Sequence, residues 1–296
     1  MLPYNFKVNI DLISDWNSYL GNKLSEFNLL SENDIRRIPE RDVAWSFFEL
    51  SHKLIEPNIR RIHFSRDFNC DPTLQSGLDN LVKKIERGEN LTPHLSRGIK
   101  RLNTPDDLLN DWGIYHLHLG ITVESDGFVE RGGPLLYAFF SDSDAYLIDI
   151  MDHYSFATKR LLTIIHENWP EVIQQYRINA TMEPRIEYTD DQIKCLRKAG
   201  IVTFTQVEEG VAYAPPGGGQ TSARTSGSAR ISANRFHNIL VGLELYIKQN
   251  LYEFINKVKA RLGKMPPELT FRLGVGVKGE FYAIETNSMI SFLIRE

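Results

Sequence analysis

The residues of this chain best suited to chemistry lie within a span of forty. If residues 114–120 form a strand, its two-residue period sets His116 and His118 on one face and Tyr115, Leu117 and Leu119 on the other. On the third β-rich run, 145–150, and the residues that continue it, the same period gives Asp149, Met151 and His153 one face, and Ile148 and Ile150 the opposite one. Asp149 and His153 therefore meet the histidine pair if the strand registers align. Imidazole changes charge near neutral pH and is also the commonest transition-metal ligand. The cluster suits acid/base chemistry without a cofactor or, alternatively, a divalent metal held by His116, His118, Asp149 and His153. A strand histidine is more often an ordinary surface or core residue. His166-Glu167 lacks the second helical histidine of a zinc-protease motif. Cys70 and Cys195 fall in no metal-ligand spacing.

A second group surrounds Pro215-Pro216-Gly217-Gly218-Gly219, which leads through a Ser/Thr-rich stretch toward a helix start with Arg224 and Arg230 nearby. Glycine lets backbone amides approach a ligand, and a helix start offers free N–H donors to an anion. Gly217, Gly218, Gly219, Arg224 and Arg230 are thus candidate anion-binding residues. No Gly-Lys-Ser/Thr closes the segment as in a P-loop, so a mobile surface loop is the competing expectation.

These groups must be positioned by elements that the pattern predicts. Apolar residues at helical spacing from Glu40 to Ile55, and again from Leu74 to Glu86, give two helices with a short strand from Ile59 to Phe64 between them. Residues 114–120, 134–140 and 145–150 alternate as strands, and Ser141-Asp142-Ser143-Asp144 joins the last two as a hairpin. A helix carrying Leu161, Leu162, Ile164 and Ile165 covers the sheet, and Pro170 opens a short one after it. Thr189-Asp190-Asp191 caps a helix that stops at Ala199-Gly200. Two short strands around Glu208-Glu209-Gly210 follow. One long amphipathic helix with apolar positions from Phe236 to Val258, stopping near Gly263 before Pro266-Pro267, and a terminal hairpin around Lys278-Gly279 close the chain. The expected fold is α+β: a central antiparallel β-meander flanked by helices, with a long C-terminal helix and a terminal hairpin. Three regions are expected: a mostly helical 1–101, a sheet region 102–188 and an α+β region 189–296.

With 296 residues, 42% hydrophobic and 24% charged, the chain can bury a core, and disordered, collagen-like and purely coiled-coil classes are excluded. There is no charged-then-apolar leader at Met1 and no apolar run near 18 residues, so a cytoplasmic protein without a membrane partner is expected. The net charge of −4 hides a pattern. Residues 57–101 hold nine Lys/Arg against five Asp/Glu, residues 102–152 hold one against ten, and residues 211–265 hold eight against two. Either these charges pair with one another across the fold, or a basic surface for a polyanion lies beside an acidic site.

The order of Trp112-Gly113-Ile114-Tyr115-His116-Leu117-His118, Arg131, Leu136-Tyr137-Ala138-Phe139, Tyr146-Leu147-Ile148-Asp149-Ile150 and His153-Tyr154-Ser155-Phe156 resembles the sheet of RelE-type and HigB-type toxins. That resemblance, over residues 112–156, implies a metal-independent endoribonuclease in a toxin or phage-defence setting. Its partners would be RNA and an antitoxin or other protein. His116 or His118 together with His153 would be the acid/base pair, Arg131 the phosphate clamp, and Tyr154 a base-stacking or proton-donating residue. Acid/base groups and a cation are what 2′-hydroxyl attack on an RNA phosphate requires. The chain is also similar to a group of bacterial proteins that share the segments at Asn110–Gly120 and Tyr213–Gly219, which implies a bacterial cytoplasmic protein and no particular activity. The alternative from another class is a non-catalytic nucleic-acid or protein interaction module that uses the basic C-terminal region. A metal-dependent hydrolase is the third.

Overall fold

The computed structural model describes residues 7–178, 187–264, 266–277 and 279–293. The chain forms two compact units, Met1–Phe48 with Ile231–Glu296, and Glu49–Arg230. In chain order the first elements are β1 (Lys7–Ile10), α1 (Leu12–Glu26), α2 (Glu32–Arg36) and α3 (Glu40–Lys53). Then come β2 (Arg61–Phe64), α4 (Gln75–Glu86), α5 (Asp107–Trp112), β3 (Ile114–His118), β4 (Leu135–Phe140) and β5 (Asp144–Met151). They are followed by α6 (Arg160–Asn168), α7 (Pro170–Ile173), α8 (Asp190–Lys198), β6 (Thr205–Glu208) and β7 (Val211–Tyr213). Last are α9 (Gly227–Gln249), α10 (Leu251–Leu262), β8 (Glu268–Val275), β9 (Phe281–Glu285) and β10 (Ile290–Leu293).

The fold is α+β, with the antiparallel β3-β4-β5 meander at the centre of the unit Glu49–Arg230. Its sheet has the order β2-β5-β4-β3, and β2 joins β5 in parallel, so the sheet is mixed. One face carries Ile114, Leu135, Tyr137 and Ile148, packed with Leu161, Leu162 and Ile165 of α6 and with Trp112 and Tyr213. The expected alternation fails at one point. The pairing shifts between Tyr137, opposite Asp149, and Ala138, opposite Leu147. Ile148 is therefore an extra residue, a β-bulge, and it joins the buried cluster instead of sharing the opposite face with Ile150. The expected boundaries after residues 101 and 188 both lie inside this unit.

The unit formed by the two chain ends has its own sheet, β1-β8-β9-β10, with β1 parallel to β8 and β8-β9-β10 antiparallel. Leu12, Trp16 and Leu20 of α1, Leu240 and Ile247 of α9, and Phe254 and Val258 of α10 pack with Leu269 and Phe271 to form its core. The terminal hairpin is present, although Lys278 at its turn lies outside the described residues, and a third strand extends it. The single helix expected from Phe236 to Val258 is two helices, broken at Asn250, where φ and ψ are −104° and 21°. Apolar residues continue through the break on the same period, which hides it from a pattern reading. Among the described residues no helix is long and apolar enough to cross a membrane.

Candidate functional site

The site grows from the segment that feeds edge strand β3. Asp106 caps α5 by accepting a hydrogen bond from Leu109 N at 3.1 Å. Helix α5 ends at Gly113, whose φ of 70° is the left-handed conformation of a helix C-cap, and the chain enters β3 directly. This short path brings Asp106 beside His116, with Oδ2 and Nδ1 3.9 Å apart. His116 has a side chain 13% exposed, and its Nδ1 has no hydrogen-bond partner. Burial pushes its pKa down, Asp106 opposes that shift, and His153 and Arg131 add to it. The imidazole is thus neutral at physiological pH and free to accept a proton, and Asp106 is placed to stabilise the imidazolium that would form.

Asp152 builds the turn that presents the next two candidates. Its Oδ1 accepts from Tyr154 N at 2.8 Å and from Ser155 Oγ at 3.1 Å, which leaves His153 and Tyr154 exposed, Tyr154 at 88%. Phe156 lies between the histidines, with ring centroids 4.9 Å from His116 and 6.2 Å from His153. His116, His153, Tyr154 and Phe156 line one cavity of about 370 Å³. Leu95, Ile99, Pro105 and Leu108 give it apolar walls, and Asp106, Lys53, Lys194, Arg197 and Lys198 give it charge.

His118 does not line this cavity. It is 4% exposed, and burial, reinforced by Arg131, lowers its pKa to about 3. Its ring centroid lies 5.7 Å from that of His153. His118 is therefore held neutral, and of the two strand histidines His116 is the one placed for proton transfer. Arg131 stays behind the site: its guanidinium reaches the Leu95 carbonyl at 3.4 Å and lies 5.8 Å from the Phe128 ring centroid. Asp149 faces Arg160 at 3.7 Å and accepts from Ile150 N at 2.8 Å, so the carboxylate beside the histidine is Asp106 instead. The alternative metal set of His116, His118, Asp149 and His153 does not converge. Among the described residues no three His, Cys, Asp or Glu side chains are grouped to hold one ion.

A histidine that the pattern did not single out anchors the end of β3. Lys84 Nζ donates to His94 Nε2 at 3.0 Å, so Nδ1 carries the ring proton and donates to the His118 carbonyl at 2.8 Å. Burial lowers the His94 pKa to about 4. His94 and His118 stay neutral in the fold, whereas in the unfolded chain they titrate at their ordinary value of 6.5. Above that pH their contribution to stability is complete. As the pH falls from 6.5 toward 4 only the unfolded chain takes up the protons, and stability is lost at up to about 1.4 kcal/mol per pH unit for each histidine. Urea unfolding between pH 7 and 5 is expected to show this slope, and His118→Gln should flatten it. An unchanged slope in that variant would remove His118 from the account.

The glycine segment braces α5 through Gly217. Gly217 N donates to the Asp111 carbonyl at 3.0 Å, and Gly218 N to the Pro215 carbonyl at 3.0 Å. A Cβ on Gly217 would lie 2.1 Å from Leu109 O, so only glycine lets this segment press on α5. Arg224 makes a two-pronged pair with Asp107 at 3.2 and 2.7 Å. The start of α9 is already occupied by an internal carboxylate, because Ser226 N donates to Glu49 Oε2 at 2.9 Å. Gly217 and Arg224 thus hold α5, and through it Asp106, while Gly218 closes a turn onto Pro215 and the Gly219 carbonyl accepts from Gly227 N. Arg230, in the first turns of α9, is likewise not without a partner. Gly217→Ala should cost about 1–3 kcal/mol through overpacking, read as a lower midpoint in urea, and a neutral result would contradict the close approach.

Asp106 and Arg197 of the site lay outside the sequence reading. Asp106 carried a signal, since an aspartate preceding Asp107-Leu108-Leu109 is a helix-cap pattern. Arg197 had a subtler one. It sits four residues after Ile193 on the buried stripe of α8, where a charge demands a partner. That partner is Asp111, with Arg197 Nε to Asp111 Oδ2 at 2.7 Å and the guanidinium 4.0 Å from the Trp112 ring centroid. Part of the acidic stretch is paired with the basic flanks, through Asp107 with Arg224, Asp126 with Arg97 and Asp144 with Arg61. His166 bridges Tyr213 Oη at 2.8 Å and Glu208 at 3.2 Å, outside the cavity.

No protein-family model, no curated protein and no solved structure matches this chain.

Proposed function

We propose that the unit Glu49–Arg230 is a histidine acid/base ribonuclease that cleaves an RNA phosphodiester in the cavity beside β3. The observation that carries this reading is that His116 lines the same cavity as His153 with its buried Nδ1 turned to the Asp106 carboxylate at 3.9 Å, which leaves Nε2 as the nitrogen that takes up the substrate's proton. In the proposed reaction His116 takes the proton of a ribose 2′-hydroxyl, and the oxygen attacks phosphorus. The bond from phosphorus to the 5′-oxygen breaks, and His153 protonates the departing oxygen. The products are a 2′,3′-cyclic phosphate and a 5′-hydroxyl. The protein residues supply both proton transfers, so the step needs no metal. Tyr154 and Phe156 offer ring faces to a base at the mouth. The sequence resemblance to RelE-type and HigB-type toxins supplies the setting, a toxin or phage-defence protein with RNA as substrate and an antitoxin as partner. A gel assay of total RNA with added chelator tests the reading: wild type should cleave and His153→Ala should not. Equal cleavage by both proteins would refute it.

A further inference from the structure

We infer that the α8 wall of this cavity is a phosphate-binding subsite, formed by Arg197, Lys194 and Lys198, which gives the cavity a nucleotide as its ligand. The inference rests on the cavity described above and deepens its reading by naming what holds the ligand's charge.

Arg197 is fixed on three sides. Trp112 lies under the guanidinium, Asp111 takes Nε at 2.7 Å, and the Phe156 carbonyl takes Nη1 at 2.6 Å. Its Nη2 is buried and has no hydrogen-bond partner, as is true of Oδ1 of the Asp111 that takes Nε, and Arg197 lines the cavity while only 3% exposed. A buried guanidinium donor left unsatisfied is costly, and an anionic oxygen in the cavity would satisfy it. The arginine is also preorganised, since its own ion pair and ring contact hold the plane before any ligand arrives.

Lys194 and Lys198 stand one helical turn apart on α8 and line the same cavity. Among the described residues neither makes an ion pair or a hydrogen bond. Neither acidic residue of the wall pairs with them: Asp107 is paired with Arg224, and Asp106 caps α5 with one oxygen and turns the other to His116 at 3.9 Å. The α8 side of the cavity therefore carries the positive charge of Lys194 and Lys198 beside the buried Arg197 guanidinium, in a cavity whose apolar lining suits a base and sugar. A volume of about 370 Å³ lies in the range of small-molecule sites.

Calorimetric titration of the full chain with adenosine 5′-monophosphate, adenosine, inorganic phosphate and the dinucleotide ApA tests the subsite without turnover. The monophosphate should bind about ten-fold or more tightly than adenosine, because charged hydrogen bonds to the phosphate add to the base contacts. Its affinity should fall as salt rises. Binding of ApA at comparable strength would show that the subsite accepts a diester, and weaker binding of ApA that it takes a terminal phosphate. In Lys194→Gln/Lys198→Gln, two exposed changes that spare the core, the advantage of the monophosphate should shrink to less than about three-fold. Arg197→Lys, checked by circular dichroism for a native fold, should do the same. Equal affinity for adenosine and its monophosphate in wild type, or an unchanged advantage in the lysine double variant, would overturn the subsite. A protein that binds phosphate in this way but cleaves no RNA keeps the subsite and loses the nuclease. One that cleaves RNA without a phosphate preference does the reverse.

Discussion

His116→Ala should lower kcat/KM for RNA cleavage by about 10²–10⁴-fold while leaving the fold intact, because it removes the group that takes the 2′ proton. The side chain is largely buried but stands at the cavity wall, and its Nδ1 has no hydrogen-bond partner to lose, so stability should respond less than activity. The pH profile separates a catalytic role from a structural one. Activity needs the neutral imidazole and therefore falls as the pH drops through its pKa. Burial holds that value below the ordinary one, and Asp106 raises it again. Asp106→Asn removes the opposing charge, so the acid limb should move to still lower pH and the plateau should fall with the weaker base. An acid limb that stays in place in Asp106→Asn would show that the limb belongs to another group.

Asp111→Ala should destabilise the protein by about 3–5 kcal/mol, because it strips the counter-charge from a buried guanidinium. Both side chains of this pair are 4% exposed, and the carboxylate itself suffers from burial, which raises its pKa against the pull of Arg197. Such a pair adds little over a well-packed apolar replacement, yet losing one partner is severe. Urea unfolding checks the number, and Asp111→Leu/Arg197→Met should regain most of the loss. The pair also fixes the plane of Arg197, so any folded Asp111→Ala protein should bind adenosine 5′-monophosphate more weakly. A cost under about 1 kcal/mol would mean that water reaches the guanidinium and that the cavity wall is less dry than the structure shows.

Local signals in the sequence located most of the central unit. Alternation marked β3, β4 and β5, and the cap at Thr189, reciprocated by Gln192, marked α8. What escaped was non-local. Strand β1 has four residues and pairs with β8, so nothing near it in sequence announces it. The glycine segment looked like a ligand loop because composition cannot distinguish an amide free for an anion from one pressed against Leu109. The histidines were found, but which one faces the cavity was settled by burial. The counter-charges Asp106 for His116 and Asp111 for Arg197 depend on how α5 sits against β3 and α8.

The central claim is that the cavity residues drive 2′-hydroxyl attack on an RNA phosphate. The most direct measurement is cleavage, in the presence of chelator, of a defined single-stranded RNA and of the same strand with 2′-deoxyribose at the cut position. The account predicts cleavage of the first, with a 2′,3′-cyclic phosphate on the product, and none at the substituted position of the second. Equal cutting of both strands, loss of cleavage to the chelator, or no cleavage of either strand would contradict it.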